Sequence, residues 1–199
     1  METQHYMFSF IPSILMPNAS RNQPPPEQVM VDYIMSKDKK AIIELYNTFA
    51  DDMYHYLLSL SDPTLAQDIV QKTWLKVIEK PHSYHTVGSV KAWLFTMARN
   101  ALIDEFRKTN RWVELENQHD ELNDNTPTLT NTTNVQTLFN EALMALSFEQ
   151  REAFCLQQEG FSLVEIATMT NSKQETIKTR LRYAKTKLKE LLEHANDQA

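Results

Sequence analysis

Residues 173–189 hold seven Lys and Arg (Lys173, Lys178, Arg180, Arg182, Lys185, Lys187, Lys189) against one acid, Glu175, a local charge of +6 in a chain whose formal charge is −6. Clustered cations of this kind can neutralise nucleic-acid phosphates, and an arginine fork can read the edge of a guanine. A solvated surface helix is the commoner origin of a charge run. Here the run shares its stretch with Ile177, Leu181, Ala184, Leu188, Leu191 and Leu192, which recur at the spacing of one buried helical face. The cations are thereby gathered on the opposite side. A second group lies upstream: Arg99, Arg107, Lys108 and Arg111, preceded by a loop in which His82 and His85 flank Tyr84. An HxxH pair in a loop with no further ligand is weak ground for zinc.

The elements that position the basic run are written next to it. Ser162 with Glu165, and Ser172 with Glu175, each read as a capping box. They predict a short helix, a break at Thr170-Asn171-Ser172, and a longer basic helix. That is the helix-turn-helix layout, whose second helix enters the DNA major groove by its N-terminal part.

Two glycines, Gly88 and Gly160, among 199 residues point to an all-α chain, because tight hairpins and phosphate-cradling loops need more. A hydrophobic content of 42% is enough for packed cores. Cys155, the only cysteine, excludes an internal disulfide framework and fits a reducing cytoplasm; it falls in an apolar helical stretch as a packed thiol.

Residues 1–26 read as an N-terminal arm: an apolar run from Met7 to Met16, too short to span a bilayer, ends in Pro24-Pro25-Pro26, and Met30 is an alternative start. Residues 27–111 read as one helical domain. A short helix carries Val29, Tyr33 and Ile34, and a long one from Asp38 buries Ile42, Leu45, Tyr46, Phe49, Met53, Tyr56, Leu57 and Leu60. Asp62-Pro63 starts a third, with Leu65, Ile69, Val70, Trp74, Val77 and Ile78. A fourth runs from Ser89 to about Asn110 and is apolar on more than one side, which makes it central. Residues 112–134 carry a charge of −5, no Lys or Arg, and many Asn and Thr, the composition of a flexible acidic linker. Residues 135–199 form a second helical domain, in which Ser147 with Gln150 caps a helix that Gly160 ends.

Three blocks, ELYNTFADDMYHYLLSLSDPTLAQDIVQKTWLKVI, SVKAWLFTMARNALIDEFRK and ALSFEQREAFCLQQEGFSLVEIATMTNSKQETIKTRLRYAKTKL, together resemble the extracytoplasmic-function (ECF) class of bacterial RNA polymerase sigma factors. The resemblance spans about residues 37–192. It implies a core-binding region 2 over 27–111 and a DNA-binding region 4 over 135–199. By the same resemblance Asp68, Gln71 and Trp74 dock on core polymerase, with Lys72 standing where relatives carry an acid. Tyr84, His85 and Asn100 fall at the pocket for a base flipped from the −10 element, with Arg99, Lys108 and Arg111 near its phosphates. A stacking ring, amide hydrogen bonds and cations are what such a pocket requires. Lys178, Thr179, Arg182 and Tyr183 would face the −35 groove, with Thr176 and Arg180 near phosphates. Tyr183 stands where relatives carry Arg, and Thr170 where they carry the Leu-Gly of the turn.

The expected function is a non-enzymatic promoter-specificity subunit whose partners are core RNA polymerase, promoter DNA and an anti-sigma factor, with no cofactor. No Ser/His/Asp, metal or phosphate constellation is spaced for chemistry. The alternative is a stand-alone helix-turn-helix regulator with an N-terminal ligand or dimer module.

Overall fold

The computed structural model describes residues 24–85, 88–109 and 135–197. Every regular element among them is helical: α1 (Pro26–Ser36), α2 (Lys39–Leu58), α3 (Pro63–Glu79), a 3-10 turn (Pro81–Ser83), α4 (Val90–Lys108), α5 (Val135–Met144), α6 (Phe148–Gln158), α7 (Leu163–Met169) and α8 (Gln174–Asp197). The arm before residue 24 and the stretch 110–134, with Arg111, lie outside the described residues.

The starts follow from local chemistry. Asp38 accepts from the Lys40 N–H at 2.9 Å and Asp62 from the Leu65 N–H at 3.0 Å, the latter with Pro63 at the first helical position. Ser89 caps α4 by accepting from the Ala92 N–H at 3.0 Å. A long-range contact adds to it: the Glu27 carboxylate of α1 accepts from the Val90 N–H at 3.1 Å and so ties the first helix to the start of the fourth. Asp62→Ala is expected to cost about 1 kcal/mol, read as a lower urea midpoint with an unchanged slope.

Helices α1–α4 bury Met30, Leu45, Met53, Leu57, Ile69, Leu94 and Leu102 in one core. Helices α5–α8 bury Ala142, Leu156, Ile166, Ile177 and Ala184, which continue the same buried cluster, with Leu181, Leu188 and Leu191 in the expected stripe of α8. Two expected core residues are found outside. Tyr46 and Ile78 are 48% and 49% exposed, and they share the surface of α2 and α3 with the exposed Ile43 and Leu75. The helical period marks an apolar face; it does not say what covers it.

Helix α4 is central, as its all-round apolar character predicts. One side packs on α1, α2 and α3; the other receives the C-terminal half, where Phe95 meets Phe161 and Phe106 meets Phe148 edge-on, with centroids at 5.2 and 5.9 Å.

Candidate nucleic-acid interface

The turn before α8 is closed by backbone geometry. The Ser172 N–H donates to Ala167 O at 2.9 Å and the Asn171 N–H to Thr168 O at 3.2 Å, a Schellman motif with Asn171 in the left-handed region at φ 49°. Asparagine tolerates that conformation, so Thr170 itself keeps an ordinary backbone. The same motif, with Gly160 at φ 88°, ends α6 as expected.

Of the two capping boxes expected here, Ser162 with Glu165 forms: Ser162 Oγ accepts from the Glu165 N–H at 3.3 Å, and the Glu165 carboxylate accepts from the Ser162 N–H at 2.9 Å. Ser172 with Glu175 does not. Helix α8 starts later, at Gln174; Arg180 Nη1 donates to Ser172 Oγ at 3.1 Å, and Lys178 holds Glu175 at 2.7 Å. The two side chains that would have closed the box are occupied by cations of the helix they would have capped.

On α8, Thr176, Lys178, Thr179, Arg182 and Tyr183 are exposed and Arg180 half-buried, so the six candidate residues flank the buried Ile177, Leu181 and Ala184 on the solvent side. The Arg182 guanidinium lies 5.1 Å from the centroid of the Tyr183 ring. This surface can neutralise phosphates and present one arginine fork to a base edge.

The upstream candidates are arranged less simply. His85 and Asn100 are exposed, and Lys108 is exposed with Glu105 at 3.6 Å. Tyr84 is 4% exposed: its ring packs edge-on against Trp93 at 5.3 Å, and its hydroxyl donates to Gly88 O at 3.2 Å. The open stacking ring expected at this position is therefore folded into the domain in this arrangement. Arg99 is covered too. Its Nε donates to Glu152 Oε1 at 2.8 Å and its Nη2 to Oε2 at 3.3 Å, with side-chain exposures of 13% and 1%. Burial pushes the Glu152 carboxyl up, opposed by Arg99 and at longer range by Arg180. Burial also works against the Arg99 charge, but Glu152 beside it outweighs that and leaves the guanidinium above its ordinary value. Tyr56 sits near Glu152 in the same pocket without a hydrogen bond of ordinary geometry.

On α3, Asp68 and Gln71 are exposed, while Trp74 is buried against Tyr46 with centroids at 5.2 Å. Asp68, Gln71, Leu75 and Ile78 follow one another along one exposed stripe, so Leu75 and Ile78 extend the surface begun by the first two. Lys72 lies 3.7 Å from Glu105 of α4. Among the described residues no three His, Cys, Asp or Glu side chains are grouped to hold a metal ion, and no helix is long and apolar enough to cross a membrane.

Two family models match, sigma-70 region 2 over residues 45–112 and sigma-70 region 4 over residues 136–188. The chain is 34% identical over 146 residues to the ECF RNA polymerase sigma factor SigL of Mycobacterium tuberculosis, covering 70% of this chain and 82% of that protein. It is 33% identical over 140 residues to the ECF RNA polymerase sigma factor EcfG of Rhodopseudomonas palustris, covering 69% and 77%. Among solved structures, the sigma factor RpoE of Bartonella quintana, in complex with the anti-sigma factor NepR, matches at a TM-score of 0.62 and 31% identity, covering 77% of this chain and 98% of that one. CnrH, in complex with the cytosolic domain of CnrY, shares the fold at a TM-score of 0.58 and 20% identity. The stand-alone regulator is set aside by a region 2 and a region 4 matched in that order, and the chain belongs to the ECF class of RNA polymerase sigma factors.

Proposed function

We propose that this chain binds core RNA polymerase through residues 27–111, reads and helps melt a −10 element with the same domain, and reads a −35 element with α8. The observation that carries this reading is the exposed face of α8, where Lys178, Thr179, Arg182 and Tyr183 stand beside a Schellman turn in the second of two sigma-70 domains. The chain acts in the cytoplasm, without catalysis of its own or a cofactor; phosphodiester chemistry belongs to the polymerase. His85 and Asn100 are the residues offered to a flipped base, with Lys108 and Arg111 for its phosphates; Tyr84 and Arg99 join them once uncovered. A partner of the anti-sigma kind, such as NepR is for RpoE, would act by covering one or both halves. Reconstitution tests the reading. The purified chain added to core polymerase redirects initiation to promoters that core alone does not use; failure both to associate and to redirect initiation refutes it.

The polymerase surface is the α3 stripe of Asp68, Gln71, Leu75 and Ile78, with Trp74 holding Tyr46 beside it. Leu75 is 57% exposed, so Leu75→Glu leaves folding within about ±0.5 kcal/mol. The variant is expected to lose co-purification with core polymerase at least tenfold while keeping its thermal midpoint. Retained association would move the docking surface elsewhere on the domain.

A further inference from the structure

The two family models account for residues 45–112 and 136–188, and helix α1 lies before both. It is nonetheless built into the domain. Val29, Met30 and Tyr33 are buried, and α1 packs on α2, on the 3-10 turn and on α4. One side chain of α1 reaches further than this packing requires. The half-buried Glu27 carboxylate accepts from the Val90 N–H at 3.1 Å, across 63 residues of chain. Val90 is the first residue of α4, and its N–H is one of the orphan donors of a helix start. Ser89 caps the Ala92 N–H. Glu27 therefore supplies a second cap, and its charge stands where the helix dipole favours an anion.

Helix α4 starts from the loop that carries Tyr84. The Tyr84 hydroxyl donates to Gly88 O at 3.2 Å, and Gly88 takes φ 111°, which an L side chain rarely adopts. At the other end of the loop Pro81 is buried, and its carbonyl accepts from the Tyr84 N–H at 3.2 Å. The Glu27 charge is felt at the ring as well: burial first, and that carboxylate second, push the Tyr84 hydroxyl up from its ordinary value. The loop thus has one anchor at Pro81 and another at Val90, and α1 makes the second.

We infer that Glu27 is a positioning residue for promoter opening: by fixing the start of α4 it holds the Tyr84 loop where His85, Asn100 and the Tyr84 ring can close on a flipped base. The inference rests on the proposed function. A snug pocket for a flipped base needs its groups held in place by a supporting shell. A loop loose at one end gives up more conformational freedom when it closes on a ligand. With both ends fixed, uncovering Tyr84 asks for rotation of one side chain and leaves α4 where it is.

Hydrogen exchange and strand binding test this in the full-length protein. Glu27→Ala should speed amide exchange at Val90 about tenfold while α2 and α3 keep their protection. In complex with core polymerase, the same variant should bind a single strand carrying the −10 element of a promoter found in the reconstituted assay about fivefold more weakly. An abasic site at the flipped position should remove that difference, because a loop with no base to hold gains nothing from being positioned. Glu27→Gln keeps an oxygen for the Val90 N–H and should bind the strand as the wild type does. Glu27→Asp keeps the charge but falls one methylene short, and should weaken binding about threefold; it decides the matter if Glu27→Ala loses helix content. Unchanged exchange at Val90 overturns the tether. Equal losses on the intact and the abasic strand, or strand binding that neither Glu27→Ala nor Glu27→Asp changes, overturn the positioning role. A wild type that binds no −10 strand with polymerase, while Val90 exchange still answers to Glu27→Ala, refutes the proposed function and leaves Glu27 a structural cap alone.

Discussion

Arg182→Glu should abolish initiation from promoters that depend on a −35 element while the protein still co-purifies with core polymerase. Arg182 lies on the exposed side of α8, one residue after the buried Leu181 and two before the buried Ala184, and its guanidinium rests over the Tyr183 ring. Its loss leaves no cavity. A well-placed arginine fork is worth about 1–3 kcal/mol of discrimination at a base edge, and the reversal adds repulsion from phosphates already crowded with negative charge. A fall of roughly 100-fold in promoter affinity follows, since 1.4 kcal/mol is a factor of about ten. Binding to a −35 duplex and pull-down with core polymerase measure the two halves separately. Equal loss of both would remove the division of labour between the domains.

What the sequence disclosed about this fold and what it hid are separated by range. The pairs Ser147 with Gln150, Ser162 with Glu165, and Asp62 with Pro63 act within one helical turn, so their residue types suffice to place the starts of α6, α7 and α3. Ser172 with Glu175 has the same signature and fails because Arg180, eight residues on, takes the serine. Tyr84 has the chemistry for stacking on a base, but the same ring is also a good packing partner, and Trp93 of α4 takes it. For the exposed side of α8, proposed to read a −35 element, the apolar positions alone say which residues face solvent, because the remaining positions have to. For the residues proposed to meet a −10 element it is not enough, because Arg99 is on a helix with two packed sides and its partner Glu152 lies 53 residues away. One signal was available: α4 is apolar all round, which calls for a second partner, and the stripe Phe148, Glu152, Cys155 and Glu159 of α6 is as apolar as it is acidic.

The Arg99–Glu152 pair leads to the second large effect. Removing one partner of a buried pair usually costs about 3–5 kcal/mol, because the other charge is left uncompensated in a dry site. Here a cheaper escape exists. If Arg99→Met leaves Glu152 unpaired, the halves can separate and return the carboxylate to water. The cost is then capped at the free energy of docking. The variant is expected to show rapid Cys155 labelling with little change in the unfolding midpoint of either domain. Arg99→Met with Glu152→Leu removes both charges and leaves an apolar contact, a change often neutral or stabilising by about 1–4 kcal/mol. That double variant should close again and protect the thiol as well as the wild type does or better. Both variants lack the Arg99 cation, so any direct loss at the −10 phosphates is common to them. The difference between them in a reconstituted initiation assay isolates closure, and the double variant should initiate about tenfold less than the single one. Equal initiation with unequal labelling would mean that the closed form does not inhibit. Equal labelling would mean that Phe95, Phe106, Phe148 and Phe161 hold the halves together unaided, and that the ion pair has no part in holding them.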